Sequence, residues 1–218
     1  MYDFNQEEDQ KTRASGPIPA GSSVLVRLSI RKPKFTDDNS DIIGRTQRGM
    51  LFLDAEYEVI AGQFQGNKVW ENLWLPLGLQ RAILSDGQKT ACNIAASKMK
   101  GILNAARGVM PKDDSPQANR KRQTQSWLDF NHLVFPVTVG IANEAVEKNG
   151  RTYWNNTISR IVTPDDSRYT ELMEGGEVIT NGPITGDGKQ RRNGSHSGNE
   201  DPGYDSPPAD AYDDEIPF

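Results

Sequence analysis

The chain has 218 residues, a formal net charge of -5 and a hydrophobic content of 35%, which allows one domain of ordinary size with some tail but not two full domains. A single cysteine excludes an intrachain disulfide, two histidines argue against a zinc site, and no apolar run approaches the roughly 18–20 residues of a membrane span. The polar, acidic start lacks the apolar segment of a signal peptide, so we expect neither secretion nor membrane insertion.

The first half of the chain carries three predicted strands. Residues 1–19 are polar and are predicted to be flexible. Apolar and polar residues then alternate at Ser23–Lys32, Gly49–Ala61 and Lys68–Leu75, and this period of two is typical of half-buried strands. The polar, charged segment Pro33–Arg48 between the first two strands is predicted to be a long loop.

The hydrophobic period changes after the third strand and predicts a helix. Ser85 or Asp86 can cap its start, the apolar stripe continues to about Arg107, and Gly108 lies just past its end. The following residues, 109–127, are polar and rich in turn formers. Within them, the basic run Arg120-Lys121-Arg122 is interpreted as a solvated loop.

Two further strands complete the pattern. The fourth is predicted at Leu133–Ala142, where Pro136 indicates an edge strand or a bulge, because proline cannot donate to a ladder. The fifth is predicted at Arg151–Val162 after the turn Lys148-Asn149-Gly150, and a short helix follows it to about Glu174.

The order of these elements predicts a fold class. Five strands with a helix between the third and the fourth are typical of the oligonucleotide/oligosaccharide-binding (OB) barrel. We therefore predict a mainly β, α+β domain over residues 20–179, built as a five-stranded OB-fold barrel. An unrelated mixed α+β domain is the alternative.

Barrels of this kind bind single strands on the face of the second and third strands, between the first and last inter-strand loops. Because a single strand exposes base faces and phosphates, aromatic side chains interleaved with Lys and Arg are the expected contacts. Trp70 and Trp74 lie opposite the core residues of the third strand, although tryptophans there also serve as packing residues. The predicted contacts are Arg27, Arg31, Lys34, Phe35, Arg45, Arg48, Phe52, Lys68, Trp70, Trp74, Arg151 and Tyr153.

Catalysis is the less favoured interpretation. Asp54, Glu56 and Glu58 alternate on one strand face and could ligate Mg²⁺ as in a nuclease, but alternating acids also keep an exposed face soluble. No second acidic cluster has a matching spacing, and Cys92 lies mid-helix among alanines, which indicates an inert buried side chain. We predict no catalytic residue, no metal site and no cofactor.

The end of the chain differs in composition from the rest. Residues 180–218 hold six Gly and five Pro with few apolar residues, which predicts disorder. Within them, Glu200–Phe218 carries seven acids and no basic residue. Without those seven charges, residues 1–199 have a net charge of +2. A slightly basic body with an acidic tail is a pattern found in nucleic-acid-binding proteins.

The last residues carry the most specific motif. The chain ends in acids followed by Ile-Pro-Phe, which closely resembles the acidic tip of bacterial single-stranded DNA-binding proteins. In that family the tip recruits genome-maintenance enzymes, so the resemblance implies a docking peptide whose terminal Phe fills an apolar pocket and whose carboxylates pair with basic groups. The residues that carry this implication are Asp213, Asp214, Glu215, Ile216, Pro217 and Phe218.

The layout of the chain resembles phage or mobile-element single-stranded DNA-binding proteins. We therefore expect a sequence-independent protein that coats and protects single-stranded DNA in replication, recombination or repair. Its expected partners are single-stranded DNA and host or phage replication and recombination proteins that bind the tip, in the cytoplasm of a bacterial host, with a homo-oligomer possible and no membrane. The alternatives are a recombination mediator or strand-annealing protein, a Mg²⁺-dependent nuclease, and an adaptor without affinity for DNA.

Overall fold

The computed structural model describes most of the predicted domain. The described residues are 16–37, 40–47, 49–75, 84–148 and 151–183. Most of the predicted flexible start and almost all of the predicted tail, with its acidic tip, lie outside these ranges.

Antiparallel strands form most of the regular secondary structure in these ranges, where one sheet contains seven of them. The strands are β1 (Ser23–Arg31), β2 (Thr36–Asp37), β3 (Ser40–Arg45), β4 (Leu51–Val59), β5 (Lys68–Trp74), β6 (Val134–Lys148) and β7 (Arg151–Ile161). The helices are α1 (Asp86–Ala106), α2 (Pro116–Arg122), a 3-10 helix (Trp127–Phe130) and α3 (Tyr169–Met173). The mainly β class is confirmed.

The strand order explains how the sheet curves around its core. The order is β2-β3-β4-β1-β6-β7, and β5 pairs with the other edge of β4. Strands β1 and β3 share one edge of β4, since Ile30 pairs with Ala55 and Ile43 with Leu53. In the described residues β5 and β7 come close together without a ladder between them. This order is consistent with an OB-like fold, but the closed five-stranded barrel is not confirmed.

Strand β4 shows why the alternating pattern predicts strands in this chain. Its odd-numbered residues are buried and its even-numbered residues are half-buried along the whole strand. Because successive side chains point to opposite faces, one face of β4 packs into the core and the other faces outward. The buried side chains are Leu51, Leu53, Ala55, Tyr57 and Val59.

The predicted long loop between the first two strands is wrong. That segment contains β2 and β3, and β3 forms a ladder with β4 from Ile43 to Arg45. Ile42 and Ile43 are half-buried against the core. The segment's polar composition concealed two short strands. Their backbone groups are paired, β2 with β3 and β3 with β4, without an alternating hydrophobic pattern in the segment.

Helix α1 begins where the sequence predicts. The hydroxyl of Ser85 accepts from the N–H of Gln88, and the side chain of Gln88 accepts from the N–H of Ser85, which forms a capping box. The helix ends at its C-cap residue Arg107, followed by Gly108 in the left-handed region at φ 60°. One face of α1 is buried, including Ala91, Ala95, Met99, Ile102 and Leu103.

Two other predictions need correction. Strand β6 lies between β1 and β7, so the edge position suggested by Pro136 is wrong. Pro136 itself pairs in regular register with Leu25, and the register shifts of β6 come later, at Thr138/Val139 and Ile141/Ala145. The basic run 120–122 is helical and closes α2 rather than forming a solvated loop.

Both ends of the described chain are tied to the fold. Ile18, in the segment predicted to be flexible, is fully buried, and the side chain of Asn156 bonds to its backbone N–H and C=O, each at 2.8 Å. At the other end, the hydroxyl of Thr180 donates to the carbonyl of Ala20 at 2.6 Å. These contacts hold the segment that precedes β1 against β7 and against the segment that follows α3.

A polar network lies where β5 and β7 approach each other. The hydroxyl of Tyr57 donates to Glu71 at 2.6 Å, and the ammonium of Lys98 donates to Glu71 at 2.8 Å and to the carbonyl of Ile158 at 3.0 Å. Burial, together with the negative charge of Glu71, raises the pKa of Tyr57 well above its usual value. Lys98 of α1 thus connects β5 to β7.

We expect Lys98→Ala to lower the free energy of unfolding by about 2 kcal/mol. This loss is smaller than the roughly 3–5 kcal/mol expected when one partner of a fully buried ion pair is removed, because the side chains of Lys98 and Glu71 are 19% and 20% exposed. Lys100→Ala, at an exposed position of the same helix, is the control and should change stability by less than about 0.5 kcal/mol. Urea unfolding measures both, and equal losses would contradict a special role for Lys98.

Candidate nucleic-acid interface

The outward side chains of β1, β4 and β5, with one residue of β3, form a grid that we call the outer face. Register fixes its rows, because residues paired across antiparallel strands project to the same side. The four rows are Arg27–Glu58–Lys68, Ser29–Glu56–Trp70, Arg31–Asp54–Asn72 and Gly44–Phe52–Trp74.

Glu56 organises the centre of this face. One carboxylate oxygen accepts from the ammonium of Lys68 at 2.6 Å, and the other accepts from the indole N–H of Trp70 at 2.8 Å. Burial alone would raise the pKa of Glu56, but these two hydrogen bonds and the charges of Lys68 and Arg31 outweigh it and lower the pKa. The carboxylate is therefore held in its charged form and fixes the orientation of Trp70.

Arg31 is held by a second carboxylate. Its guanidinium reaches both oxygens of Asp54, at 3.0 and 2.9 Å from the same nitrogen, and a further nitrogen lies 3.8 Å from Glu56. Such a fork fixes the planar group in one orientation. Arg31 thus reaches from β1 to β4 and links the row of Asp54 to the row of Glu56.

These pairs balance the charge of the outer face. Three cations and three carboxylates occupy it, and two of the predicted phosphate contacts, Arg31 and Lys68, are already paired with acids. Arg27 lies directly across from Glu58 in the register of β1 and β4. The face is therefore close to neutral, and attraction for a polyanion there is weaker than the sequence alone suggests.

Aromatic side chains supply most of the apolar surface of the outer face. Trp70 is 53% exposed although its N–H is bonded to Glu56, so one side of the indole is open. Phe52 and Trp74 meet edge to face with ring centroids 5.7 Å apart. Gly44 makes room for this pair, because any side chain at position 44 would collide with the ring of Phe52.

The hairpin that follows β1 holds three more predicted contacts. Phe35 is 62% exposed, and the ammonium of Lys34 lies 5.5 Å from its ring centroid. The N–H of Arg45 donates to the carbonyl of Phe35 at 3.2 Å. Arg45 pairs with Leu51, so it projects to the opposite side of the sheet from Phe52. The structure therefore places these residues at the end of the outer face rather than on it.

Several predicted contacts lie outside what the structure describes. Arg48 is not among the described residues, and the side chains of Arg151 and Tyr153 are likewise undescribed. The proposed docking residues, 213–218, also fall outside. For these positions the sequence prediction stays a prediction.

Two residues important for this geometry were not recognised from sequence. Gly44 lay in the predicted loop, and Glu56 was considered only as a metal ligand or a solubilising acid. Their roles depend on cross-strand register, which no periodicity within one strand reveals. In the described part of the chain, no cluster of three His, Cys, Asp or Glu side chains could hold a metal ion. No helix of those same ranges is long and apolar enough to span a membrane.

Comparison with known proteins finds distant similarity among solved structures. No protein-family model and no curated protein matches the chain. Among solved structures, yeast RPA bound to ssDNA is similar with 12% identity and a TM-score of 0.23, over 78% of this chain and 90% of that one. A TM-score this low leaves fold and function to be argued from the chain's own residues.

We expect Gly44→Ala to displace the ring of Phe52 and to cost about 1 kcal/mol of stability through the lost contact with Trp74. The cost should disappear in the background of Phe52→Ala, where no ring occupies the space. Gly87→Ala is the control, because the first turn of α1 has open space there. Urea unfolding of the single and double variants tests this, and the same cost in both backgrounds would contradict it.

The lowered pKa of Glu56 has a defined effect on stability. A carboxyl group whose pKa is lower in the folded state stabilises the fold above its ordinary value of 4.5, and that contribution is lost as pH falls through the folded pKa. We expect Glu56→Gln to destabilise the protein at pH 7, and the difference from wild type to shrink below pH 4.5. Glu174→Gln, at an exposed position, is the control for urea unfolding at both pH values. A difference that is constant with pH would refute the assignment.

Proposed function

We propose that this protein binds single-stranded DNA without sequence preference, with the bases stacked on the outer face. The observation that carries the proposal is Trp70, whose indole is half exposed yet held in one orientation by Glu56. A large exposed aromatic costs solubility unless it has a partner, and a rigid one loses little entropy when a base stacks on it.

The spacing of the aromatic residues supports a path along β5. Trp70 and Trp74 are four residues apart on one strand, which separates them by about 13 Å at the usual rise per residue. Asn72 lies exposed between them and offers hydrogen bonds to a base or a phosphate. Two stacking positions on β5 suit single-stranded DNA, because the bases of a duplex already stack on one another.

The balanced charge of the face suits this mode of binding. Base stacking contributes about 1–3 kcal/mol per base and does not depend on sequence. Phosphates could gain Lys68 or Arg31 only in exchange for Glu56 or Asp54, so the face itself contributes few new ion pairs. We therefore propose that stacking, rather than phosphate pairing, supplies most of the affinity at the outer face.

The biological role extends this proposal. We infer that the protein coats and protects single-stranded DNA during replication, recombination or repair in a bacterial cytoplasm, and is not itself an enzyme. Its acidic tip, 213–218, would recruit replication or recombination proteins. Support for the tip comes only from its sequence, which resembles that of bacterial single-stranded DNA-binding proteins.

Titration with a short oligo-dT, followed by tryptophan fluorescence and by gel shift, tests the proposal. We expect Trp70→Ala to weaken binding by roughly 5- to 100-fold, the equivalent of one lost stacking contact, and Trp70→Phe to keep most of the affinity. A duplex of equal length should bind much more weakly.

Met110→Ala is the control for this titration, because Met110 is 49% exposed but follows α1, away from the outer face. Wild-type affinity in Trp70→Ala would exclude stacking on this indole. Failure of the wild-type protein to shift any single strand would overturn the proposed function.

A further inference from the structure

The positive charge of the chain is concentrated away from the outer face. Residues 23–75, which include β1 to β5, hold seven basic and seven acidic residues. Residues 86–122, from α1 to α2, hold eight basic and three acidic residues, a net charge of +5. The helical part between β5 and β6 is therefore the basic part of the domain.

Two arginines fix α2 against α1. Arg107 of the α1 C-cap donates to the carbonyls of Lys121 and Gln123 at 2.6 and 2.9 Å. Arg122 donates to the side chain of Asn104 at 2.8 Å. These contacts use backbone and amide acceptors instead of carboxylates, so they hold the helices together without neutralising the charge.

Arg122 also organises the connection between the two helices. Its guanidinium donates to the carbonyls of Met110 and Asp113, at 2.9 and 2.6 Å. The carboxylate of Asp113 accepts from the N–H of Ser115, which lowers the pKa of Asp113 and places that acid at the start of α2. The basic side chains of residues 120–122 therefore end α2 and the acids precede it, although the charges of Arg122 and Lys121 reach Asp113 and help to lower its pKa.

Of the six other cations, Lys89 pairs with Asp86 and Lys98 with Glu71, and the last four point to solvent. We call them the helical patch, and each is exposed without an ion pair to any described residue. Lys100 precedes Asn104 and Arg107 on the stripe of α1 that faces α2, one turn before Asn104. The members of the helical patch are Lys100, Lys112, Arg120 and Lys121.

Helix α1 relates the helical patch to the outer face. It runs beside β5 in the opposite direction, since Cys92 lies at Leu75 and Lys98 lies at Glu71. Glu71 pairs with the buried residue Ala55, so α1 packs on the side of β5 that faces away from the outer face. Further along α1, the patch therefore lies toward the N-terminal end of β5, and a DNA strand that leaves the outer face there reaches the patch by passing around this end of the sheet.

We propose that the helical patch binds the phosphate backbone of the same single strand that stacks on the outer face, which rests on the proposed function. The helical patch offers four cations and no aromatic ring. Contacts to the phosphate backbone of DNA do not depend on sequence and require only positive charge. The outer face then supplies stacking and the helical patch supplies ion pairing. Short strands occupy the face alone, and longer strands reach the patch.

The test compares oligo-dT of about 10 nucleotides, within the size of one site, with oligo-dT of about 40 nucleotides. The triple variant Lys100→Gln, Arg120→Gln, Lys121→Gln should bind the short strand like wild type. For the long strand we expect about tenfold weaker binding at low salt. The slope of log affinity against log salt should fall by about 2, since each phosphate contact contributes about 0.7.

The matched control keeps every charge. The variant Lys100→Arg, Arg120→Lys, Lys121→Arg should bind both strands like wild type, which separates charge from structural damage. Unchanged binding of the long strand by the neutral triple variant would overturn the inference, while Trp70→Ala would still test the outer face on the short strand.

Two further outcomes separate the sites and the possible occupants. Loss of long-strand binding in the triple variant, with none in Trp70→Ala, would contradict stacking on this indole and overturn the inference that one strand occupies both the outer face and the helical patch. A synthetic peptide of residues 200–218 tests the other occupant. If the triple variant loses the peptide but keeps the long strand, the patch is a protein contact and the inference fails.

Discussion

The ammonium of Lys98 lies at the point on which the arrangement of the sheet depends. Strands β5 and β7 meet there without a ladder in the described residues, and Lys98 joins Glu71 on one strand to the carbonyl of Ile158 on the other. The hydroxyl of buried Tyr57 satisfies the second oxygen of Glu71. Because α1 provides this lysine, the helix holds the inward side of β5 at the edge of the sheet and leaves the other side of β5 to form part of the outer face.

On the outer face, most of the charged side chains have an oppositely charged partner. Glu56 receives a lysine, an indole and a distant arginine, and Asp54 receives the fork of Arg31. Exposed ion pairs contribute little stability individually, typically about 0–1 kcal/mol. Their main consequence here is geometric, because they hold Trp70 in one orientation and limit what the face can offer a phosphate.

Local patterns in the sequence were sufficient to predict the elements that bury one face. The alternation along β4 and the helix cap predicted at Ser85 or Asp86 both depend on residues close in sequence, and the structure confirms the strand and places the cap at Ser85. The alternation of apolar and polar residues did not reveal β2 and β3, because β2 pairs with β3 and β3 with β4 in a segment of polar composition. The pairing of Arg31 with Asp54 was missed because it depends on the register between residues 23 positions apart.

Charge counted by sequence position is therefore a poor guide to charge available for binding. The cations of β1 and β5 were predicted as phosphate contacts, yet they face acids one strand away. The cations of α2 were interpreted as a solvated loop, yet two arginines position that helix through carbonyls and leave the neighbouring charges unneutralised. Stacking and ion pairing have different requirements, since a base needs a rigid flat ring and a phosphate needs an uncompensated cation. This chain places the two on neighbouring elements, so the affinity of a bound strand should depend on its length as well as on its bases.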